Sequence, residues 1–133
     1  MPHLPFSVPL SLRGFTSRVW TAEEWARIQQ GHASRDMDDK WDLVVEGDTL
    51  FAYRSWTGFC VYEATFTEVE GGRRVAEVRV ESDPERYRRR SDAHDLTLLE
   101  ILIRGALLGE EQDSELVERW RATLPPNPPS PSA

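Results

Sequence analysis

Two runs hold most of the residues that can do chemistry: Asp36-Met37-Asp38-Asp39-Lys40-Trp41, and the stretch from Leu50 to Glu63 centred on Arg54-Ser55-Trp56-Thr57-Gly58. Together they suit the grip of a planar anion. A guanidinium offers phosphate or carboxylate a two-pronged donor. Ser55, Thr57 and the amides around Gly58 add short donors, and a glycine lets a ligand approach the backbone. Trp41 and Trp56 can stack on a base or sugar, and Lys40 adds charge. The candidate ligand-binding set is therefore Lys40, Trp41, Arg54, Ser55, Trp56, Thr57 and Gly58. Each has a plainer use: tryptophans close hairpins, a lysine is a solvated charge, and an arginine on an apolar face pairs with a carboxylate. For Arg54 the partners would be Asp38, Asp39, Asp92 or Asp95, because an unpaired buried charge costs several kcal/mol, on the order of 3–5.

No catalytic residue is assigned. Asp36, Asp38 and Asp42 lack the glycine and terminal glutamate of a calcium loop, and no metal is expected. Asp39 and Glu63 are the pair to consider for carboxylate-based hydrolysis, but strand alternation puts Glu63 on a solvated face. His3 and His32 show no ligand spacing. His94 is either a surface residue or one that orients a carboxylate or phosphate. Cys60 is the single cysteine, which excludes an internal disulfide, and its β-patterned surroundings make it a small core residue. No phosphate loop, dinucleotide fingerprint or Ser–His–Asp order is present, so no cofactor is expected.

These residues depend on elements that period and punctuation predict. Thr21-Ala22-Glu23-Glu24 is a capping box opening a short helix that carries Trp25 and Ile28 and stops at Gly31. From Trp41 the period becomes two, with strands over Trp41–Glu46, Thr49–Ser55, Phe59–Glu68 and Arg74–Ser82. Three-residue loops at Trp56-Thr57-Gly58 and Glu70-Gly71-Gly72 set Arg54 opposite Cys60, Ala52 opposite Tyr62, Ala64 opposite Val78 and Phe66 opposite Ala76. One face is then apolar, with Cys60, Tyr62, Phe66, Ala76 and Val80. The other carries Phe51, Tyr53, Phe59, Val61 and Glu63. Ser91 or Asp92 caps a main helix running to Leu108, with Gly109 as its stop and Leu96, Leu99, Leu102, Ile103, Ala106 and Leu107 as its stripe. A last helix spans about 114–123. The expected fold is α+β: a four-stranded antiparallel meander packed by one main helix, with a short N-terminal and a C-terminal helix. Residues 1–124 form one domain, 1–19 being an irregular arm, and 125–133 a Pro-rich disordered tail.

The pattern Met37-Asp38-Asp39-Lys40-Trp41, then Leu50, Arg54-Ser55-Trp56-Thr57-Gly58, Cys60, Tyr62 and Phe66, resembles a small, largely uncharacterised bacterial domain sometimes associated with ADP-ribosylglycohydrolase or macro-type proteins. The resemblance covers about Met37 to Phe66 and implies a role near ADP-ribose or related nucleotides. It transfers no catalytic residue.

A net charge of −7 argues against nucleic acid or an anionic membrane as the partner. The exception, Arg86-Tyr87-Arg88-Arg89-Arg90, is flanked by Asp83, Glu85, Asp92 and Asp95 and reads as a self-neutralised turn. No signal peptide or membrane span is visible, so a cytoplasmic protein is expected. Two functions follow. One is a ligand-binding module for a nucleotide-sugar or ADP-ribose-like anion. The alternative is a protein-interaction or immunity-type module using Phe51, Tyr53, Phe59 and Val61. A hydrolase acting through Asp39 is the third and weakest reading.

Overall fold

Hydrophobic alternation along the middle of the chain becomes an antiparallel sheet in the computed structural model, which describes residues 2–125. The chain runs β1 (Pro9–Leu12), α1 (Ala22–Ile28), β2 (Trp41–Glu46), β3 (Thr49–Arg54), β4 (Cys60–Val69), β5 (Gly72–Glu81), α2 (Asp92–Ile101), a π-helical segment (Leu102–Leu107) and α3 (Ser114–Arg121). The fold is α+β, with five strands in the order β1-β5-β4-β3-β2. The expected Pro-rich tail lies, from residue 126 on, outside the described residues.

The fifth strand corrects the expectation of an irregular arm. Pro9 to Leu12 pair with Glu81 to Val78 along the edge of β5. Proline is tolerated there because an edge strand leaves its outer amide positions unpaired. The edge also explains why Pro2, Pro5 and Pro9 hid the strand: they break local periodicity, while the pairing partner lies some seventy residues away.

Both expected hairpins form, each with one residue of difference. Ala52 lies opposite Tyr62 as the alternation required, but Tyr53, and not Arg54, lies opposite Cys60. A bulge at Val61 absorbs the offset. Cys60 is thereby turned to the Tyr53 face, and Val61 joins the core, the reverse of both assignments. In the second hairpin, Val69 pairs with Gly72, so the turn is one residue tighter than expected. Phe66 consequently faces Val75, and Ala76 bulges out into solvent. In each case the bulge keeps Tyr62, Ala64, Phe66, Val78 and Val80 on one buried face.

The helices cover that face. Thr21 and Glu24 form the reciprocal capping box, and Trp25 and Ile28 of α1 are buried, with Trp25 against Phe66. Ser91 caps α2 by accepting the His94 amide. The expected single helix to Leu108 instead widens after Ile101, and Leu108 donates to the carbonyl of Ile103. A π-turn has poorer hydrogen-bond geometry. Here it rotates the last turn so that Leu107 and Leu108 are both buried and Ala106 faces solvent. Burying a leucine contributes roughly 1.5–3 kcal/mol, which outweighs the weaker bonds. Asp113 caps α3, whose Leu116 is buried.

The N-terminal arm covers the opposite face. The His3 ring stacks on Tyr53 at 4.1 Å, Leu4 bridges to Gly58 and Cys60, and Arg79 lies over Phe6. Glu81, fully buried, accepts the amides of Ser7 and Val8 at 2.7 and 2.8 Å. Burial pushes the Glu81 carboxyl up, but the amides of Ser7, Val8 and Asp83 together hold it below its ordinary value. Under this cover Cys60 is 2 % exposed, and burial beside Glu63 and Glu81 pushes its thiol up to about 12. The thiol is therefore expected to resist a disulfide-exchange reagent at pH 8 in the folded protein. Gly58→Ala should release it. Gly58 has φ +76°, and a Cβ there would meet the Pro2 carbonyl at 2.0 Å, so the substitution lifts the arm. Thiol titration of both proteins checks this; equal protection after the substitution contradicts it.

Candidate functional site

At one end of the sheet, β2 begins at Trp41 and β3 ends at Arg54, directly opposite each other. The alternation that buries Leu43, Leu50 and Ala52 therefore puts Trp41 and Arg54 on the helix-covered face. Trp41 is buried and stacks on Tyr62, and the Arg54 guanidinium lies 4.7 Å above the Trp41 ring. This cation–π contact fixes the arginine without neutralising it. None of the expected carboxylates reaches it. Asp39 is 2.7 Å from His32 Nε2, while Asp92 and Asp95 are held by Arg89.

The loop between β5 and α2 closes over this end. Asp83 accepts the amides of Glu85, Arg86 and Tyr87, partly through its carbonyl, and so turns the loop back toward the sheet. Tyr87 then points inward, with its hydroxyl 2.8 Å from that of Tyr62 and 2.7 Å from Asp95. Burial raises both phenols above their ordinary value, so they remain protonated donors. Asp95, fully buried, also accepts Arg89 Nε at 2.9 Å. This cluster is the floor of the site.

Above it lies a two-lobed cleft. An inner lobe of about 470 Å³ is walled by Trp41, Tyr87, Leu98 and Trp120 and ringed by Lys40, Arg54, Arg86, Arg88, Arg90 and His94. An outer lobe of about 350 Å³ is formed by Met37, Trp56 and Thr57, with Lys40, Arg54 and Arg86 shared between the two. Among the described residues no acidic side chain lines either lobe. Of the protein's sixteen Lys and Arg residues, seven form ion pairs among the described residues, and five of the other nine are in this cleft. The basic run is thus neutralised only at Arg89. Arg86 stacks over Phe59 and donates to the Pro5 carbonyl, and Arg88 and Arg90 face the inner lobe. Alternating charge in the sequence concealed this, because the Asp83 carboxylate accepts from Ser7 and from the Glu85 amide and makes no ion pair with the arginines that follow it.

Of the seven candidate residues, Lys40, Trp41, Arg54, Trp56 and Thr57 converge on the cleft. Trp56 is 62 % exposed, with its indole N–H donated to the Met37 carbonyl, which leaves its ring face open. Thr57 Oγ1 accepts the Phe59 amide. The other two serve the scaffold: Ser55 Oγ donates to the Asp39 carbonyl, and Gly58 makes room for the arm. Sequence reasoning missed Arg86, Arg88, Arg90, Tyr87 and Trp120 as members of the site. Of the two readings of His94, the surface residue does not hold: His94 is 7 % exposed and its Nδ1 is 2.9 Å from Thr123 Oγ1. Burial lowers its pKa; the Asp95 charge opposes this and Arg90 adds to it, and the net shift is downward, which favours the neutral ring near pH 7.

The other candidates for chemistry are already committed. Glu63 is clamped by Arg79 through both oxygens on the arm-covered face. Asp36 accepts the amides of Asp38 and Asp39, and Asp42 that of Ser34. Among the described residues no helix is long and apolar enough to cross a membrane. No family model, no curated protein and no solved structure matches the chain.

Proposed function

We propose that the protein is a binding module for a phosphorylated, ring-bearing anion of the nucleotide-sugar or ADP-ribose class, held in the two-lobed cleft. The observation that carries this reading is Arg54: a guanidinium stacked on Trp41, without a carboxylate partner among the described residues, at the junction of the two lobes. Five cations collected without an acid on a protein of net charge −7 make a local positive field, which an anion would neutralise. Aromatic faces on both sides of that junction suit flat groups flanking a phosphate. The resemblance around Arg54-Ser55-Trp56-Thr57-Gly58 points to the same ligand class. The interaction-module alternative relied on Phe51, Tyr53, Phe59 and Val61, of which Val61 is in the core and the others lie half-buried on the arm's side. The cleft is the better supported of the two.

Tryptophan fluorescence and thermal shift with ADP-ribose test the proposal. Saturable quenching, weakened as salt rises from 50 to about 500 mM, is the expected result for binding to exposed cations. No response at millimolar ADP-ribose removes the reading.

A further inference from the structure

The inner lobe is almost entirely a surface of donors. The lysine and the arginines around it offer donors and no acceptor. The Tyr87 hydroxyl is already engaged with Tyr62 and Asp95. A bare phosphate would be satisfied by such walls. A sugar hydroxyl would not, because its own proton needs an acceptor.

His94 supplies one. Thr123 has a single hydroxyl proton and donates it to the Trp120 carbonyl. Its oxygen must then accept from His94 Nδ1, 2.9 Å away, which fixes the proton of the neutral ring on Nδ1. Among the described residues Nε2 is left as a lone pair without a protein partner, on a residue of the lobe wall that is 7 % exposed. We infer that His94 Nε2 accepts a hydrogen bond from a sugar hydroxyl of the ligand, and that the inner lobe therefore selects a phosphorylated sugar over a simple polyphosphate. The inference rests on the cleft being the anion site and adds to it the identity of the group that enters the inner lobe.

Two substitutions separate the roles of the ring nitrogens. His94→Asn keeps a donor near Nδ1 for Thr123 but has no acceptor at the Nε2 position. His94→Gln brings an amide oxygen there. Calorimetric titration of the wild type and both variants would use ADP-ribose, ribose 5-phosphate and inorganic pyrophosphate. Losing an unshared hydrogen bond in a partly enclosed lobe should weaken both sugar ligands about tenfold in His94→Asn. Pyrophosphate affinity should be unchanged, and His94→Gln should recover most of the loss. Equal effects on pyrophosphate and the sugars, or none on any, overturn the inference while pyrophosphate binding sustains the anion site. An effect on ADP-ribose but not on ribose 5-phosphate overturns the hydroxyl assignment in favour of the adenine amine. Failure of the wild type to bind any of the three overturns the site and the inference together. Since His94→Gln also perturbs the Thr123 contact, its recovery of affinity separates acceptor loss from general damage to the helix.

Discussion

Arg54→Ala should weaken ADP-ribose binding roughly 10- to 100-fold, the range expected when a charge-assisted hydrogen-bonding group is lost from a partly enclosed site. Two features make Arg54 the largest single contributor among the five cations. It is shared by both lobes, and stacking on Trp41 holds its fork in place before a ligand arrives. Less side-chain freedom is then lost on binding than for Lys40, Arg88 or Arg90, which are exposed. Lys40→Ala should consequently cost less, and mostly at low salt. Arg54 makes no ion pair, so its removal should leave the melting temperature within a few degrees of the wild type. The control is Arg74→Ala, an exposed arginine nearer the other end of β5. Equal affinities for Arg54→Ala and Arg74→Ala would refute the assignment.

The floor of the cleft should behave in the opposite way. Asp95→Ala is expected to destabilise the fold by about 3–5 kcal/mol, the cost of breaking a buried charged network by removing one partner. Asp95 is fully buried and accepts from Tyr62, Tyr87 and Arg89 at 2.8, 2.7 and 2.9 Å. Without it two phenolic hydroxyls lose their common acceptor in a dry environment, and Arg89 keeps only the exposed Asp92. For a domain with a total stability of roughly 5–15 kcal/mol, this is a large share. Urea unfolding monitored by circular dichroism measures it, and a loss below about 1 kcal/mol would show that the network adds little beyond packing. The two substitutions thus separate binding from stability within one cleft: Arg54→Ala impairs the first, Asp95→Ala chiefly the second.

Several features that build the cleft were legible locally. The capping box at Thr21, the Ser91 cap, the limits of β2, the start of β3 and the pairing of Ala52 with Tyr62 all follow from residues within one or two turns or one hairpin of each other. So did the placement of Arg54 on the core side at the end of the sheet, which isolated it as the residue to watch. The bulges were not legible. An alternation pattern counts residues but does not reveal that the first loop is one residue longer and the second one residue shorter, and Val61 and Ala76 absorb those differences at sites with no glycine or proline to mark them.

The sequence by itself determined the α+β class, the antiparallel meander and seven candidate residues between Lys40 and Gly58, of which five line one cleft. These depend on period and on short-range pairing, which residue type encodes directly. Only the tertiary structure decided that Arg54 has no carboxylate partner, that Arg86, Arg88 and Arg90 join it, and that His94 is buried with one nitrogen unspent. Charges are neutralised through space, and the acids adjacent in the chain to these arginines are bound elsewhere: Asp95 beneath Tyr87, Asp83 to the loop and the arm. Packing of Trp41, Tyr62 and Tyr87 against α2 set that sorting, and with it the difference between a neutral surface turn and a cationic cleft.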